Sequence, residues 1–230
     1  MIKGENLEGV IKKYSYRQPE PDMCWGAAIK FILDELSDRH NNQGLKISLK
    51  KINDICDYKP GQGLHPDITT PALNNYFEKK KLNYIMNEIE GSDNWSKLQE
   101  ILKDEKCSYP LVCMHQTYFK EINDRYEVPG NPNWEHVIVV LKINEEVSIY
   151  DPFEAYLLKS SNVKQPPKTI RKPSFITHWA HALSPYGLMW IEKTAGKRKK
   201  SKKRRRLINE STLEKYGLKF MVYGREDEEK

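Results

Sequence analysis

Residues Gln18 to Leu36 read Gln-Pro-Glu-Pro-Asp-Met-Cys-Trp-Gly-Ala-Ala-Ile-Lys-Phe-Ile-Leu-Asp-Glu-Leu, a proline-rich turn followed by an apolar stretch. Apolar residues recur here at helical spacing, as on a helix with one buried face, at Ala27, Ala28, Phe31, Ile32 and Leu36. Asp22 is placed to cap this helix, which we expect to begin near Met23 and to end near Asp38. Cys24 therefore falls in the first turn of a buried helix.

The rest of the chain adds helices mainly in its first half and strands mainly in its second half. Short edge strands are expected at residues 10–11 and 14–16. Further helices are expected at residues 48–55, 69–80, 95–102 and 174–183, the third of them capped by Ser92 or Asp93. Strands are expected at residues 83–88, 109–115, 136–143, 147–150 and 187–192, with a hairpin over 136–150. This order is typical of an α+β fold with an N-terminal helical half and a C-terminal antiparallel sheet.

A thiol, an imidazole and a carboxylate are distributed over these elements. Cys24 opens the first long helix, His136 begins a strand, and Asp151 ends the next strand. A thiol nucleophile needs a base to take its proton, and the base needs a third group to orient it. The helix start favours a thiolate at Cys24, and Asp151 can fix the tautomer of His136. Gln18 carries an amide that can donate a hydrogen bond to a developing oxyanion.

These residues resemble the motifs of the papain-like cysteine peptidases that process bacteriocin leaders after a double glycine, and of the stand-alone relatives of those enzymes. The resemblance covers about residues 14–193 and includes a Phe175-x-x-x-Trp179 helix before a closing strand. It implies a papain-like fold. It also implies that Gln18 lines the oxyanion hole, that Cys24 attacks, that His136 is base and acid, and that Asp151 orients His136. It does not account for the basic run at residues 197–206 or for residues 207–230, and the loop at residues 121–133, just before His136, is long for it.

Each of these residues also has a structural interpretation. A cysteine at an apolar helix start is usually a small buried hydrophobe. His136 can be a strand-edge histidine with a structural hydrogen bond, and Asp151 precedes a proline, as is common in turns. The presence of all four residues in order, each on a suitable element, favours the catalytic interpretation.

The remaining cysteines and histidines are expected to be structural. Three cysteines have no comparable setting and form no Cys-x-x-Cys pair, namely Cys56, Cys107 and Cys113. His115 can lie near the cleft, but a structural role is favoured for it. His178 and His181 are three residues apart on one helix and have no evident third ligand. We therefore expect four free thiols, no metal and no cofactor.

The net charge of +6 comes from one short run, Lys197 to Arg206, in which nine of ten residues are basic. Without those nine, 29 basic residues stand against 32 acidic ones. Repulsion between adjacent like charges predicts an exposed loop or a disordered linker. Three interpretations stay open: a solvated linker, a weak contact with nucleic-acid phosphates, and recruitment of an acidic protein. We expect a peptidase domain at residues 1–193, the basic linker at 194–207, and a short helix-strand appendage at 208–230.

Size and composition limit the class of protein. A chain of 230 residues with 38% hydrophobic and 30% charged residues predicts one globular domain with a very polar surface. No apolar run reaches about eighteen residues, and the start has no apolar signal core. We expect a cytoplasmic protein without a membrane span.

We interpret the chain as a cysteine peptidase, a hydrolase that cleaves a peptide or isopeptide bond in a peptide or protein substrate. Two alternatives remain open. One is an idle peptidase-fold binding module recruited to nucleic acid or to an acidic partner by the basic run. The other is an acyltransferase that uses the same triad.

Overall fold

The structure is a computed structural model that describes residues 6–16, 19–20, 22–61, 64, 66–91, 94–115, 117–118, 135–153, 168–182 and 184–195. The contacts within the chain divide it into two units, Met1–Gly196 and Lys197–Lys230, and every described residue belongs to the first. The predicted loop at 121–133, residues 196–207 of the predicted basic linker, the appendage at 208–230 and Gln18 lie outside the described residues.

Six α-helices, a 3₁₀ helix at Gln43–Leu45 and one six-stranded sheet are defined in these described ranges. In chain order the α-helices and strands are α1 (Leu7–Tyr14), α2 (Cys24–Arg39), α3 (Leu49–Ile55), α4 (Pro66–Lys79), β1 (Tyr84–Ile89), α5 (Trp95–Lys103), β2 (Leu111–His115), β3 (Glu135–Ile143), β4 (Glu146–Tyr150), β5 (Lys168–Arg171), α6 (Lys172–Ala180) and β6 (Leu188–Lys193). The strand order is β1-β6-β2-β3-β4-β5, and every neighbouring pair is antiparallel. The predicted α+β class is confirmed.

Helices cover both faces of the sheet, and the central strand β3 shows why its sequence is a continuous apolar run. Val137 and Val139 belong to the cluster that contains the buried side chains of α1 to α4. Ile138 and Val140 belong to a second cluster with the buried side chains of α5 and α6. Because successive side chains of a strand point to opposite faces, a strand buried on both faces is apolar at every position.

The hairpin β3–β4 brings the start of one strand next to the end of the other. Val139 pairs with Tyr150 and Ile143 pairs with Val147. His136 therefore lies at the same end of the hairpin as Asp151. Helix α2 packs against β3, so its N-terminus can meet that end of the sheet.

A glycine in α2 lets the next helix approach closely. A Cβ atom at Gly26 would lie 2.8 Å from Oδ1 of Asn53 and 2.9 Å from Cδ1 of Leu49, both on α3. Contacts this short with packed side chains are unfavourable. Gly26 therefore fixes the spacing of α2 and α3 two residues after Cys24.

Two of the expected local structures are wrong. Residues 10–11 and 14–16 do not form edge strands, since residues 7–14 are helix α1, with Asn6 capping the backbone N–H of Gly9 at 2.8 Å. The i, i+3, i+4 and i+7 spacing of Leu7, Val10, Ile11 and Tyr14 is helical, and this periodicity decides the local structure.

Asp22 also differs from the expectation, because it does not cap α2. The N-cap is Met23, which makes no side-chain hydrogen bond there. The carboxylate of Asp22 instead accepts hydrogen bonds from the hydroxyl of Tyr58 at 2.7 Å and from the backbone N–H of Gly61 at 2.6 Å. A long-range partner has displaced the local capping interaction.

Candidate active site

Cys24 is the first residue of α2, as the sequence predicted, and its side chain is buried. The first backbone N–H groups of a helix have no partner within the helix and carry the positive end of its dipole. Met23 makes no capping side-chain hydrogen bond, so no side chain of the N-cap residue occupies these N–H groups. The position suits a thiolate or the oxyanion of a reaction intermediate.

His136 and Asp151 form a buried, charge-assisted pair at the end of the β3–β4 hairpin. Nε2 of His136 lies 2.6 Å from Oδ1 of Asp151, and the two side chains are 1% and 2% exposed. The same carboxylate oxygen accepts the backbone N–H of Phe153 at 2.9 Å. The imidazole is thereby held by one edge, as an orienting carboxylate requires.

The thiol of Cys24 lies beside His136, close enough to contribute to the raised pKa of the imidazole. Because Asp151 takes Nε2, we assign Nδ1 as the ring nitrogen that faces the thiol. The three residues predicted to form the triad are thus brought together from three separate elements. Gln18, the fourth predicted member, lies outside the described residues.

Ionisation within the triad is set by the charges rather than by burial. Burial lowers the pKa of His136, but the Asp151 carboxylate and the Cys24 thiol oppose this and raise the pKa to about 10. Burial raises the pKa of Asp151, but the His136 imidazolium and the Phe153 N–H hold it below its usual value. The favoured state of this pair is a His136 imidazolium beside an Asp151 carboxylate.

Two aromatic residues that the sequence patterns did not predict at this site contact the imidazole. The ring of Tyr118 stacks on His136 with centroids 6.0 Å apart, and its hydroxyl donates to Oδ2 of Asp151 at 3.2 Å. The ring of Phe153 meets His136 edge-on, also at 6.0 Å. Strand pairing is the signal that points to Tyr118: β2 pairs with β3 antiparallel, so the residues just after β2 lie beside the start of β3.

The segment that precedes the nucleophile is held at both ends. The hydroxyl of Tyr150 accepts the backbone N–H of Tyr16 and donates to its carbonyl, each at 2.9 Å. Asp22 holds the other end through Tyr58 and Gly61. Gly61 has φ +81°, a left-handed conformation that glycine adopts without strain. These anchors lie two residues before Gln18 and two residues before Cys24.

The other candidate residues have structural surroundings. Cys56, Cys107 and Cys113 are buried cysteines that form no disulfide, and burial raises the pKa of Cys56 to about 11. Across the described ranges no cluster of three His, Cys, Asp or Glu side chains could hold a metal ion. His178 instead contacts Thr117 at 3.1 Å.

No protein-family model matches this chain, and no curated protein matches it. None of the helices in the described ranges combines the length and the apolar character that a bilayer span requires.

Proposed function

We propose that the chain is a cysteine peptidase with a papain-like fold, in which Cys24 is the nucleophile, His136 the base and acid, and Asp151 the orienting group. One observation carries the proposal. A buried Nε2 to Oδ1 contact of 2.6 Å orients a histidine that also lies beside a thiol at a helix N-terminus. A purely structural histidine does not need a thiol and a carboxylate on its two sides.

The arrangement of elements supports the same conclusion. The nucleophile begins the helix that packs on an antiparallel sheet, the base lies on a central strand, and the orienting group follows the next strand. This order of elements and roles is the one that the resemblance to papain-like peptidases implies. Fold alone does not establish chemistry, so the proposal depends on the triad.

Acylation follows from the charges of the site. The thiolate of Cys24 attacks the carbonyl carbon of the scissile bond, and the negative charge moves to the carbonyl oxygen. Backbone N–H groups at the start of α2 and the side chain of Gln18 are our proposed donors to that oxyanion. The oxyanion collapses as His136 gives its proton to the leaving nitrogen, which departs as an amine and leaves a thioester on Cys24.

Deacylation reverses the proton transfer. His136, now neutral, takes a proton from water, and the resulting hydroxide equivalent attacks the thioester carbonyl. Collapse of the second tetrahedral intermediate releases a carboxylic acid and restores the thiolate and the imidazolium. An acyltransferase would follow the same first step and accept an amine in place of water, so product analysis separates the two reactions.

The test uses a matched pair of cysteines and needs no substrate. Cys24 and Cys107 are each 4% exposed, so a difference in their alkylation rates reports reactivity rather than access. We expect iodoacetamide at pH 6.5 to alkylate Cys24 at least about tenfold faster than Cys107, because only Cys24 lies beside an imidazolium. His136→Ala should remove that advantage and leave the rate at Cys107 unchanged.

Two outcomes count against the proposal. Equal alkylation of Cys24 and Cys107 in the folded native protein would favour a non-catalytic binding module. Hydrolysis of a peptide library that persists in Cys24→Ala would place the chemistry at another residue. Cys113→Ala, which removes a buried thiol from β2, is the control for effects of cysteine removal on folding.

A further inference from the structure

We propose that Tyr118 is a positioning residue, whose hydroxyl holds the second oxygen of Asp151 and whose ring holds the plane of His136. This inference rests on the proposed function, because it concerns the same triad. Tyr118 is 0% exposed, and its hydroxyl lies 3.2 Å from Oδ2 of Asp151. Its ring is nearly parallel to the imidazole, with an interplanar angle of 16°.

The two oxygens of Asp151 have different partners. Oδ1 accepts from Nε2 of His136 and from the backbone N–H of Phe153, while Oδ2 accepts from the hydroxyl of Tyr118. A carboxylate can rotate about the bond to its Cβ atom, and a donor on each oxygen opposes that rotation. Tyr118 therefore fixes the carboxylate plane in which the His136 contact is made.

The Tyr118 hydroxyl also affects the negative charge on Oδ1 of Asp151, the oxygen that contacts His136. A hydrogen bond to Oδ2 stabilises the carboxylate anion and draws charge away from Oδ1. Without that bond, Asp151 attracts the imidazolium proton more strongly while its orientation becomes less defined. Both effects reach Cys24 through His136, so Tyr118 is a positioning residue and is neither the nucleophile nor the base.

The position of Tyr118 is itself fixed from outside the triad. Met114 pairs with His136 across β2 and β3, so the chain that leaves β2 passes beside the imidazole. Thr117 holds that turn: its Oγ1 lies 2.8 Å from Nδ1 of His115 and 3.1 Å from Nδ1 of His178. The ring of Tyr118 also meets that of His178 edge-on at 6.1 Å.

The experiment compares Tyr118→Phe with Tyr84→Phe in the full chain. Each variant removes one hydroxyl from a buried tyrosine. Tyr84 lies on β1, away from the triad, and its hydroxyl contacts Nδ1 of His40 at 3.0 Å. Proton NMR of the protein at pH 7 observes the Nε2–H resonance of His136, identified by its loss in His136→Gln. Iodoacetamide alkylation of Cys24 at pH 6.5 measures reactivity.

We expect Tyr118→Phe to shift the Nε2–H resonance and to slow Cys24 alkylation about tenfold, the scale of one hydrogen bond to a charged group. Tyr84→Phe should change neither quantity. Thr117→Val, which keeps the hydroxyl of Tyr118 but removes its support, should shift the same resonance by less.

An unchanged Nε2–H resonance and an unchanged alkylation rate in folded Tyr118→Phe would overturn the assignment, and so would equal effects in both tyrosine variants. The resonance is independent of turnover. If it shifts as expected while Cys24 reacts no faster than Cys107 in the native protein, the proposed function fails and the positioning of Asp151 by Tyr118 stands.

Discussion

At the scale of the residue, burying the charged pair His136–Asp151 carries a desolvation penalty, which the short contact between the two side chains and further hydrogen bonds offset. Moving two ionised groups out of water carries a penalty of several kcal/mol per ion, which the attraction between them repays only with good geometry and further hydrogen bonds. Here the contact between His136 and Asp151 is short, and the carboxylate accepts two further hydrogen bonds, from the backbone N–H of Phe153 and from the hydroxyl of Tyr118. Each partner is therefore costly to remove on its own.

A double-mutant cycle measures this coupling. We expect His136→Leu and Asp151→Leu to lower the free energy of unfolding by less in combination than the sum of the single effects, with a coupling of about 2 kcal/mol or more. Urea unfolding of the four proteins provides the measurement. The exposed pair Lys97–Glu100 on α5 is the control and should couple by no more than about 0.5 kcal/mol. A coupling as small as the control would show that the buried charges stabilise each other very little.

The same pair gives stability a defined pH dependence. The pKa of His136 rises from 6.5 to about 10 on folding, so its contribution is full below about pH 6.5 and is lost as the pH rises through 10. The pKa of Asp151 falls below 3.8, so its contribution is present above that pH and is lost as the pH falls through the folded value. Urea unfolding between about pH 2 and 10 should show both trends in the native protein. The double Leu variant should lack them, and parallel curves for the two proteins would contradict the assignment.

At the scale of the element, Asp38 at the end of α2 joins α1 to the rest of the domain. Its carboxylate contacts Lys13 at 2.6 Å and accepts the hydroxyl of Tyr14 at 3.1 Å, both from α1, and contacts Lys46 at 2.7 Å. The hydrogen bonds from Lys13 and Lys46 lower the pKa of Asp38 to about 2. The carboxylate therefore stays ionised at any ordinary pH.

Removing this charge should loosen α1 without disturbing the triad. We expect Asp38→Asn to lower the free energy of unfolding by about 1 kcal/mol, since the contacts are partly exposed and screened. Hydrogen exchange should report faster opening of α1, with Cys24 alkylation unchanged. The control Glu100→Gln breaks an exposed pair within one helix and should cost less. Equal losses in the two variants would show that Asp38 has no special role in docking α1.

Elements with a strong period were predictable from the sequence, and those defined by distant partners were not. Helix α2 and the hairpin β3–β4 carry long apolar patterns, and this placed Cys24, His136 and Asp151 on the observed elements. Strand β5 has only four residues and follows a polar stretch, so its pairing with β4 left no local signal. Tyr118 acquires its contacts from the register of two strands, which no short window of sequence contains.

At the scale of the whole molecule, charge is separated along the chain. The nine basic residues of Lys197 to Arg206 have nothing apolar among them to bury, and the remaining residues carry a slight excess of acid. Ordering such a run would cost conformational entropy without a hydrophobic return. We therefore expect its role, whether spacer or recruiter of polyanions, to be separable from the triad.

Replacing residues 197–206 by a neutral Gly/Ser segment should leave the melting temperature and Cys24 alkylation nearly unchanged. Affinity for a generic 20-base-pair duplex should fall, and affinity of the native protein should drop steeply between about 50 and 200 mM salt because bound counterions are released. Fluorescence anisotropy at the two salt concentrations measures both effects. No binding by the native protein at low salt would leave the run as a spacer, and unfolding of the neutral variant would show that it is structural.

The separation of Cys24 from His136 and Asp151 along the chain also sets an order of events during synthesis. The thiol leaves the ribosome first, and Asp151 follows 127 residues later. At about 5 to 20 residues per second, this delay is roughly 6 to 25 s. Under the proposed mechanism, the nascent chain holds the nucleophile without its base until His136 emerges, 112 residues after Cys24, and without the orienting carboxylate for the whole interval. We therefore expect the reactivity proposed for Cys24 to begin only when the hairpin β3–β4 packs against α2, after all three residues have been synthesised.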